Sequence, residues 1–224
     1  MALHEIVAII PIRLLPSTKH RLEQKLDGTQ RQQLVKSMLN DVFKAIGQST
    51  MISRLVIITS DMNYLSSYPS IAFELYESSA RGLNEELHEY LDVLSEKGKG
   101  YAIVILGDLP LLTGSVLDNL IFSGLRSKRP VIARDWKGLG TNVLFFTYPI
   151  AFNFYFGENS FSKHLLEMHS KGCDPIIYHS METALDIDDD SAIGLLLTLA
   201  EADDRIQETE TYRLIWRNEK GGVR

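Results

Sequence analysis

Residues 101–120, YAIVILGDLPLLTGSVLDNL, read as a buried strand that runs directly into a helix. Positions 101–106 are apolar without alternation, the pattern of a strand covered on both faces of a parallel sheet. The run ends on Asp108, a proline two residues later stiffens the turn, and Thr113 stands where a hydroxyl caps the helix that follows. A charge has no use inside such a strand, but the carboxyl ends of strands are where open α/β sheets place their ligands. Asp108 is therefore read as a site residue, with a plain turn aspartate satisfying local N–H groups as the alternative.

Working outward, the same apolar pattern recurs at 6–12, closed by Pro11, and at 55–59. Between these two, residues 29–47 (TQRQQLVKSMLNDVFKAIG) repeat Leu34, Val35, Met38, Leu39, Val42, Phe43 and Ile46 at helical spacing, with Gly47 as the expected stop. Residues 82–98 place Leu83, Leu87, Leu91 and Leu94 on one helical face. Further strands are expected at 71–76, 130–134, 143–147 and 175–178, and helices at about 160–171 and 190–202. Strands alternating with helices imply an α/β fold, a single-domain, mostly parallel, doubly wound sheet spanning 1–202. The charge-rich residues 203–224 are expected as a peripheral helix or tail of the same domain, and no site is placed there.

Composition narrows the function. The 224 residues carry a formal charge of −6, with no basic stripe, which excludes nucleic acid as the expected partner. Cys173 is the single cysteine, so no internal disulfide or cysteine-based zinc site can form, and a reducing cytoplasmic location is expected. No apolar run reaches the roughly 18 residues of a membrane span, so no membrane partner is expected. The aromatic-rich stretch 143–156, VLFFTYPIAFNFYF, leaves room for a homodimer contact as well as for core.

Three further clusters carry chemistry. In residues 184–193, ALDIDDDSAI, Asp186 and Asp188 flank Ile187, so in an extended segment both carboxylates point the same way. Crowded carboxylates repel, and a hard divalent cation relieves the repulsion. Asp108, Asp186 and Asp188 are read as a metal set suited to Mg²⁺, and Asp189 or Asp190 as a helix cap. In residues 11–22, PIRLLPSTKHRL, Arg13, Lys19 and Arg21 come to the same edge of the sheet. Cations beside carboxylates suit a polyphosphate held with its metal, although the loop has neither a Walker A pattern nor a glycine-rich GxGxR. A solvated basic loop is the alternative. Finally, Gly140 in GLGTNVLFF and the turn from Gly157 to Ser160 in FGENSFSKHLLEMHSKG suggest a second anion site. A plain N-cap at Ser160 is the bland alternative, and His164 is read as a packed or surface helix residue.

Taken in order, IPIR, KHRL, TSD, GLNEEL, GDLPLL, GTN, FGENSF and DIDDD resemble the 2-phospho-L-lactate guanylyltransferase family of coenzyme F420 biosynthesis, over nearly the whole chain. That family is similar in fold to the nucleotide-diphospho-sugar transferases. The resemblance implies transfer of GMP from GTP to the phosphate of 2-phospho-L-lactate, or of the related phosphoenolpyruvate, with release of pyrophosphate. It implies Lys19, Arg21 and Asp108 as catalytic residues, and Asp108, Asp186 and Asp188 as metal ligands. Pro11, Arg13, Lys19, Arg21, Ser60, Asp61, Gly82 and Asn84 fall on the nucleotide side, and Thr141, Asn142, Gly157 and Ser160 on the acceptor. Arg13 stands where lysine is commoner, and Asp189 to Ile193 replace the family's usual Thr-Pro-Glu-Asp-Leu, which implies an altered start to the following helix. Another nucleotidyl or glycosyl transfer on this fold, or a non-catalytic nucleotide-binding module, are the alternatives.

Overall fold

A computed structural model describes residues 5–12, 19–59, 72–78 and 82–221. Its centre is a seven-stranded sheet in the order β3-β2-β1-β4-β6-β5-β7. The strands are β1 (Ile6–Ile12), β2 (Arg54–Thr59), β3 (Glu74–Glu77), β4 (Gly100–Ile105), β5 (Val131–Arg134), β6 (Thr141–Tyr148) and β7 (Ile176–Tyr178). β1 runs parallel to β2 and β4, β2 to β3, and β5 to β7. β6 is antiparallel to both of its neighbours. Its direction follows from chain length: residues 135–140 are too few for a crossover, so β5 and β6 close as a hairpin.

The helices cover both faces. They are α1 (Gly28–Gln48), α2 (Leu83–Lys97), α3 (Gly114–Ser127), α4 (Ser160–Ser170), α5 (Met181–Ala184), α6 (Asp190–Ala202), α7 (Asp204–Gln207) and α8 (Glu210–Gly221). Alternate strand residues divide between them. Ile6, Ala8, Ile10, Ile57, Ile103, Val143 and Phe145 pack with Leu34 and Met38 of α1, Leu117 of α3 and Leu196 of α6. Val7, Ile9, Val56, Val104, Leu144 and Phe146 pack with Leu87 and Leu91 of α2 and Met168 of α4. The surplus aromatics of 143–156 belong to this second layer, where Phe152, Phe154 and Phe156 are buried edge-on or tilted against one another, while Tyr155 faces outward. Among the described residues no helix is long and apolar enough to cross a membrane.

Distant residues fix the end of α1 and the start of α8. Gly47 does not stop α1, which continues to Gln48. The stop is made from outside, because the Asp118 carboxylate accepts from the Ser49 hydroxyl and the Thr50 and Met51 N–H groups, drawing the chain off the helix axis. In the C-terminal segment, expected as a helix or tail of the same domain, Thr211 and Ile215 of α8 are buried against α1. Asp41, buried on α1, accepts from the backbone N–H groups of Glu210 and Thr211 at 2.9 Å and from the Thr211 hydroxyl at 2.7 Å. It caps α8 from another element, satisfying amides that would otherwise be left without partners. Asp41→Ala is therefore expected to cost about 2–3 kcal/mol, read as a lowered urea midpoint at unchanged slope.

The topology gathers one functional edge. The chain leaves β1 to build β2 and β3 on one side, then returns to build β4 on the other, so the switch point lies between β1 and β4. The carboxyl ends of β1, β2, β4 and β5 and the amino end of β6 all open on that edge.

Candidate active site

Lys19, which follows β1, meets Asp108, which follows β4, at the switch point. The Lys19 ammonium donates to Asp108 Oδ2 at 2.8 Å and also to Asp188 Oδ1. Asp108 is held by its neighbours: Leu109 is fully buried, and the Asp108 carbonyl accepts from Ile187 N at 3.1 Å. Ile187 is itself fully buried, so the two aspartates flanking it turn out of the core together. Asp108, Asp186 and Asp188 each bring an oxygen into a group whose members lie within 4.8 Å of one another.

Three carboxylates so close share an electrostatic cost. Burial first, then the charges of Asp108 and Asp188, push the Asp186 carboxyl up to about 7. Burial works against the charge on Lys19, yet Asp108 and Asp188 outweigh it and hold the ammonium protonated above the ordinary lysine range. One lysine does not satisfy the cluster, because Asp108 Oδ1 and Asp186 Oδ1 are buried without a hydrogen-bond donor among the described residues. All-oxygen ligands, excess negative charge and two unpartnered buried oxygens fit a hard divalent cation. Lys19 also has φ 58°, a left-handed conformation uncommon for lysine, as it starts the single 3₁₀ turn His20–Leu22. Arg21 in that turn is exposed.

On the far side of β4, the elements expected to hold the acceptor form a buried polar chain. Thr141 N donates to Ser160 Oγ at 2.7 Å, and Thr141 Oγ1 lies 2.9 Å from His164 Nδ1. His164 Nε2 accepts from Tyr155 N at 2.9 Å, which leaves the ring proton on Nδ1, donating to Thr141. Ser160 is the first residue of α4 rather than its cap; the cap position is Asn159, left-handed at φ 53° and without a side-chain cap bond. Gly157, at φ 119°, makes a turn that a side chain would strain, and a Cβ there would meet nothing within 4 Å. At Gly140 a Cβ would stand 2.9 Å from Asp135 Oδ2, so the glycine lets the β5–β6 hairpin close tightly.

Two of the expected ligands also tie the site's segments together. Asn142 donates its amide nitrogen to the carbonyls of Thr183 and Ala184 at 3.1 and 3.0 Å, clamping the segment that leads to Asp186. Asn84 accepts from Phe156 N at 2.7 Å and donates to Phe156 O at 3.1 Å, tying the start of α2 to the Gly157 turn. Gly82 precedes α2, where a Cβ would collide with the Glu85 carboxylate, and Pro11 is half-buried in β1. Arg13, Ser60 and Asp61 lie outside the described residues. The sequence reading missed Lys137, which lies over the Trp136 ring and pairs with Asp189. Asp189 caps α6 through Ala192 N, as expected for one of that pair. Burial opposes its charge, but hydrogen bonds from Lys137 and Ser191 hold its carboxyl well below the usual range.

Burial holds the His164 imidazole down to about 4, with the Ser160 carbonyl pulling the other way. The unfolded chain takes up this proton below about pH 6.5, whereas the folded chain refuses it until about 4. Stability is thus whole above 6.5 and lost as pH falls toward 4. Between pH 7 and 5 the wild type is expected to lose about 2 kcal/mol more than His164→Gln, measured by urea unfolding of both at each pH.

Comparison with known proteins bears on this geometry. The family described as "Guanylyl transferase CofC like" matches residues 6–208. A phosphoenolpyruvate guanylyltransferase of Thermobaculum terrenum is 30% identical over 191 residues, covering 84% of this chain and 81% of its own. A 2-phospho-L-lactate guanylyltransferase of Methanothermobacter thermautotrophicus is 28% identical over 195 residues, covering 87% and 85%. Among solved structures, a protein of Desulfovibrio desulfuricans G20 described as a nucleotide-diphospho-sugar transferase superimposes with a TM-score of 0.79 at 12% identity, over 97% of this chain and 96% of its own. The 4-diphosphocytidyl-2C-methyl-D-erythritol synthase of Anaerococcus prevotii gives 0.57 at 12% identity, over 88% and 96%. Those two likenesses concern the fold alone.

Proposed function

We infer the reaction from one premise: this chain belongs to the CofC-like guanylyl transferase family. It is a guanylyltransferase, transferring GMP from GTP to the phosphate of a three-carbon phosphoacid, 2-phospho-L-lactate or phosphoenolpyruvate, the acceptors for which its relatives are named. The observation that supports the assignment of the site is the meeting of Lys19 with Asp108 and Asp188 beside two unpartnered carboxylate oxygens, at the sheet's switch point.

Asp108, Asp186 and Asp188 would hold Mg²⁺, which when bound neutralises charge on the phosphate oxygens of both substrates. Lys19 and Arg21 bind and stabilise the departing pyrophosphate, as a point charge and a fork respectively. The Gly157 turn and the amino end of α4 receive the acceptor's anionic groups. An acceptor phosphate oxygen attacks the α-phosphorus of GTP in line; the new P–O bond forms as the bond to pyrophosphate breaks. No side chain removes a proton. A phosphomonoester has a second pKa of about 6, so near neutrality the nucleophile is already mostly the dianion. His164 accords with this, since both its ring nitrogens are engaged in buried hydrogen bonds, and His169 is exposed beside Asp174.

The test is pyrophosphate release with each of the four NTPs against 2-phospho-L-lactate, phosphoenolpyruvate and 3-phosphoglycerate. GTP with one of the first two is expected to give turnover. Release that is independent of acceptor, or supported better by another NTP, would overturn the assignment.

A further inference from the structure

We propose that Lys19 is the resident counter-ion of the metal centre, and that divalent-cation binding and release of the Lys19 ammonium toward the nucleotide are a single exchange. The proposal rests on the reading that the three aspartates hold the metal. The Lys19 side chain, 8% exposed, bridges Asp108 and Asp188. These are two of the three carboxylates that the cation would use. A hard cation sits about 2.0–2.6 Å from its oxygen ligands, so one bound to Asp108 and Asp188 would crowd the ammonium that shares those carboxylates. Like charges at that range repel strongly in a half-buried site, so each weakens the other's hold on the carboxylates.

The local build suits an exchange more than a fixed brace. The Lys19 backbone is pinned, since its carbonyl accepts from Leu22 N at 3.0 Å and Leu22 is fully buried. The four-carbon stem beyond it is unbranched and rotatable, so the ammonium can leave while the loop stays. The oxygens without donors, Asp108 Oδ1 and Asp186 Oδ1, offer an arriving cation its first ligands before Lys19 departs. By reciprocity, nucleotide phosphates that take up the ammonium tighten the metal, and the metal tightens the nucleotide. A lysine that merely oriented the carboxylates would predict the reverse for its removal, because the metal ligands would lose their alignment.

The probe is MnCl₂ alone, followed by electron paramagnetic resonance on wild type, Lys19→Met and Asp186→Asn, each checked for folding by thermal unfolding. Lys19→Met is expected to bind Mn²⁺ at least about tenfold more tightly than wild type, within the range usual for coupled sites. Asp186→Asn is expected to bind it more weakly. A second readout needs only the wild-type chain. In ¹⁵N-lysine NMR, the Lys19 ammonium signal, assigned by its loss in Lys19→Arg, should disappear along the Mg²⁺ binding isotherm. Equal or weaker Mn²⁺ binding by Lys19→Met, or an ammonium signal unchanged at saturating Mg²⁺, overturns the exchange while the metal centre stands. Unaltered Mn²⁺ binding by Asp186→Asn removes the metal from this cluster and overturns both.

Discussion

Asp108→Asn is expected to lower kcat/KM by at least about 10³-fold while leaving the fold intact, a loss of about 4 kcal/mol in transition-state stabilisation. The substitution is nearly isosteric, so the backbone bond from Ile187 N to the Asp108 carbonyl survives and the segment carrying Asp186 stays in place. What is lost is charge at the meeting point of Lys19 and the metal. Asp108 Oδ2 holds the ammonium and Asp108 Oδ1 is a buried oxygen awaiting a cation, so one neutral amide disturbs both. Pyrophosphate release should be measured at limiting and saturating Mg²⁺, beside a thermal unfolding curve. A near wild-type rate at limiting Mg²⁺ would show the metal assignment to be wrong.

Asn142→Ala carries the second large effect, about 10–100-fold in both metal affinity and turnover, the usual scale for residues that orient ligands rather than serve as ligands. The Asn142 side-chain amide holds the Thr183 and Ala184 carbonyls, three and two residues before Asp186, while the Asn142 backbone carbonyl, which the substitution keeps, accepts from Leu106 N at the end of β4. It joins the strand leading to Asp108 to the segment bearing Asp186 and Asp188. Removing the side chain leaves the buried Thr183 carbonyl without its donor, which should also lower stability by about 1–3 kcal/mol. The discriminating measurement is the division between parameters. A clamp changes Mn²⁺ affinity and kcat; a ligand of the acceptor changes only the acceptor's KM. The second pattern would make Asn142 a ligand of the acceptor.

Much of the site was legible because its signals are local. The period of two placed Asp186 and Asp188 on one side of a strand-like segment, and the apolar run before Asp108 put that carboxylate at a strand's carboxyl end. Other local signals are completed by distant partners. Gly47 stands at the expected end of its helix, and Asp118 on α3 fixes that end one residue later. Gly140 lies against Asp135 across a hairpin. The hairpin itself could have been read, since residues 135–140 cannot span a crossover.

By itself, the sequence determined the alternation of buried strands and amphipathic helices, the α/β class, and the place of Asp108 just past a strand's carboxyl end. Periodicity and burial preference act over a few residues, and those preferences survive in any context the chain later adopts. Only the tertiary structure decided that β6 enters the sheet between β4 and β5, that Asp41 caps a helix far along the chain, and that Asn142 and Asn84 serve as clamps. It alone brought Lys19 onto Asp108 and Asp188. The physical reason is that hydrogen bonds and charge pairs are satisfied by whatever lies within about 3 Å in space, and sequence separation sets no limit on that distance once the sheet has formed.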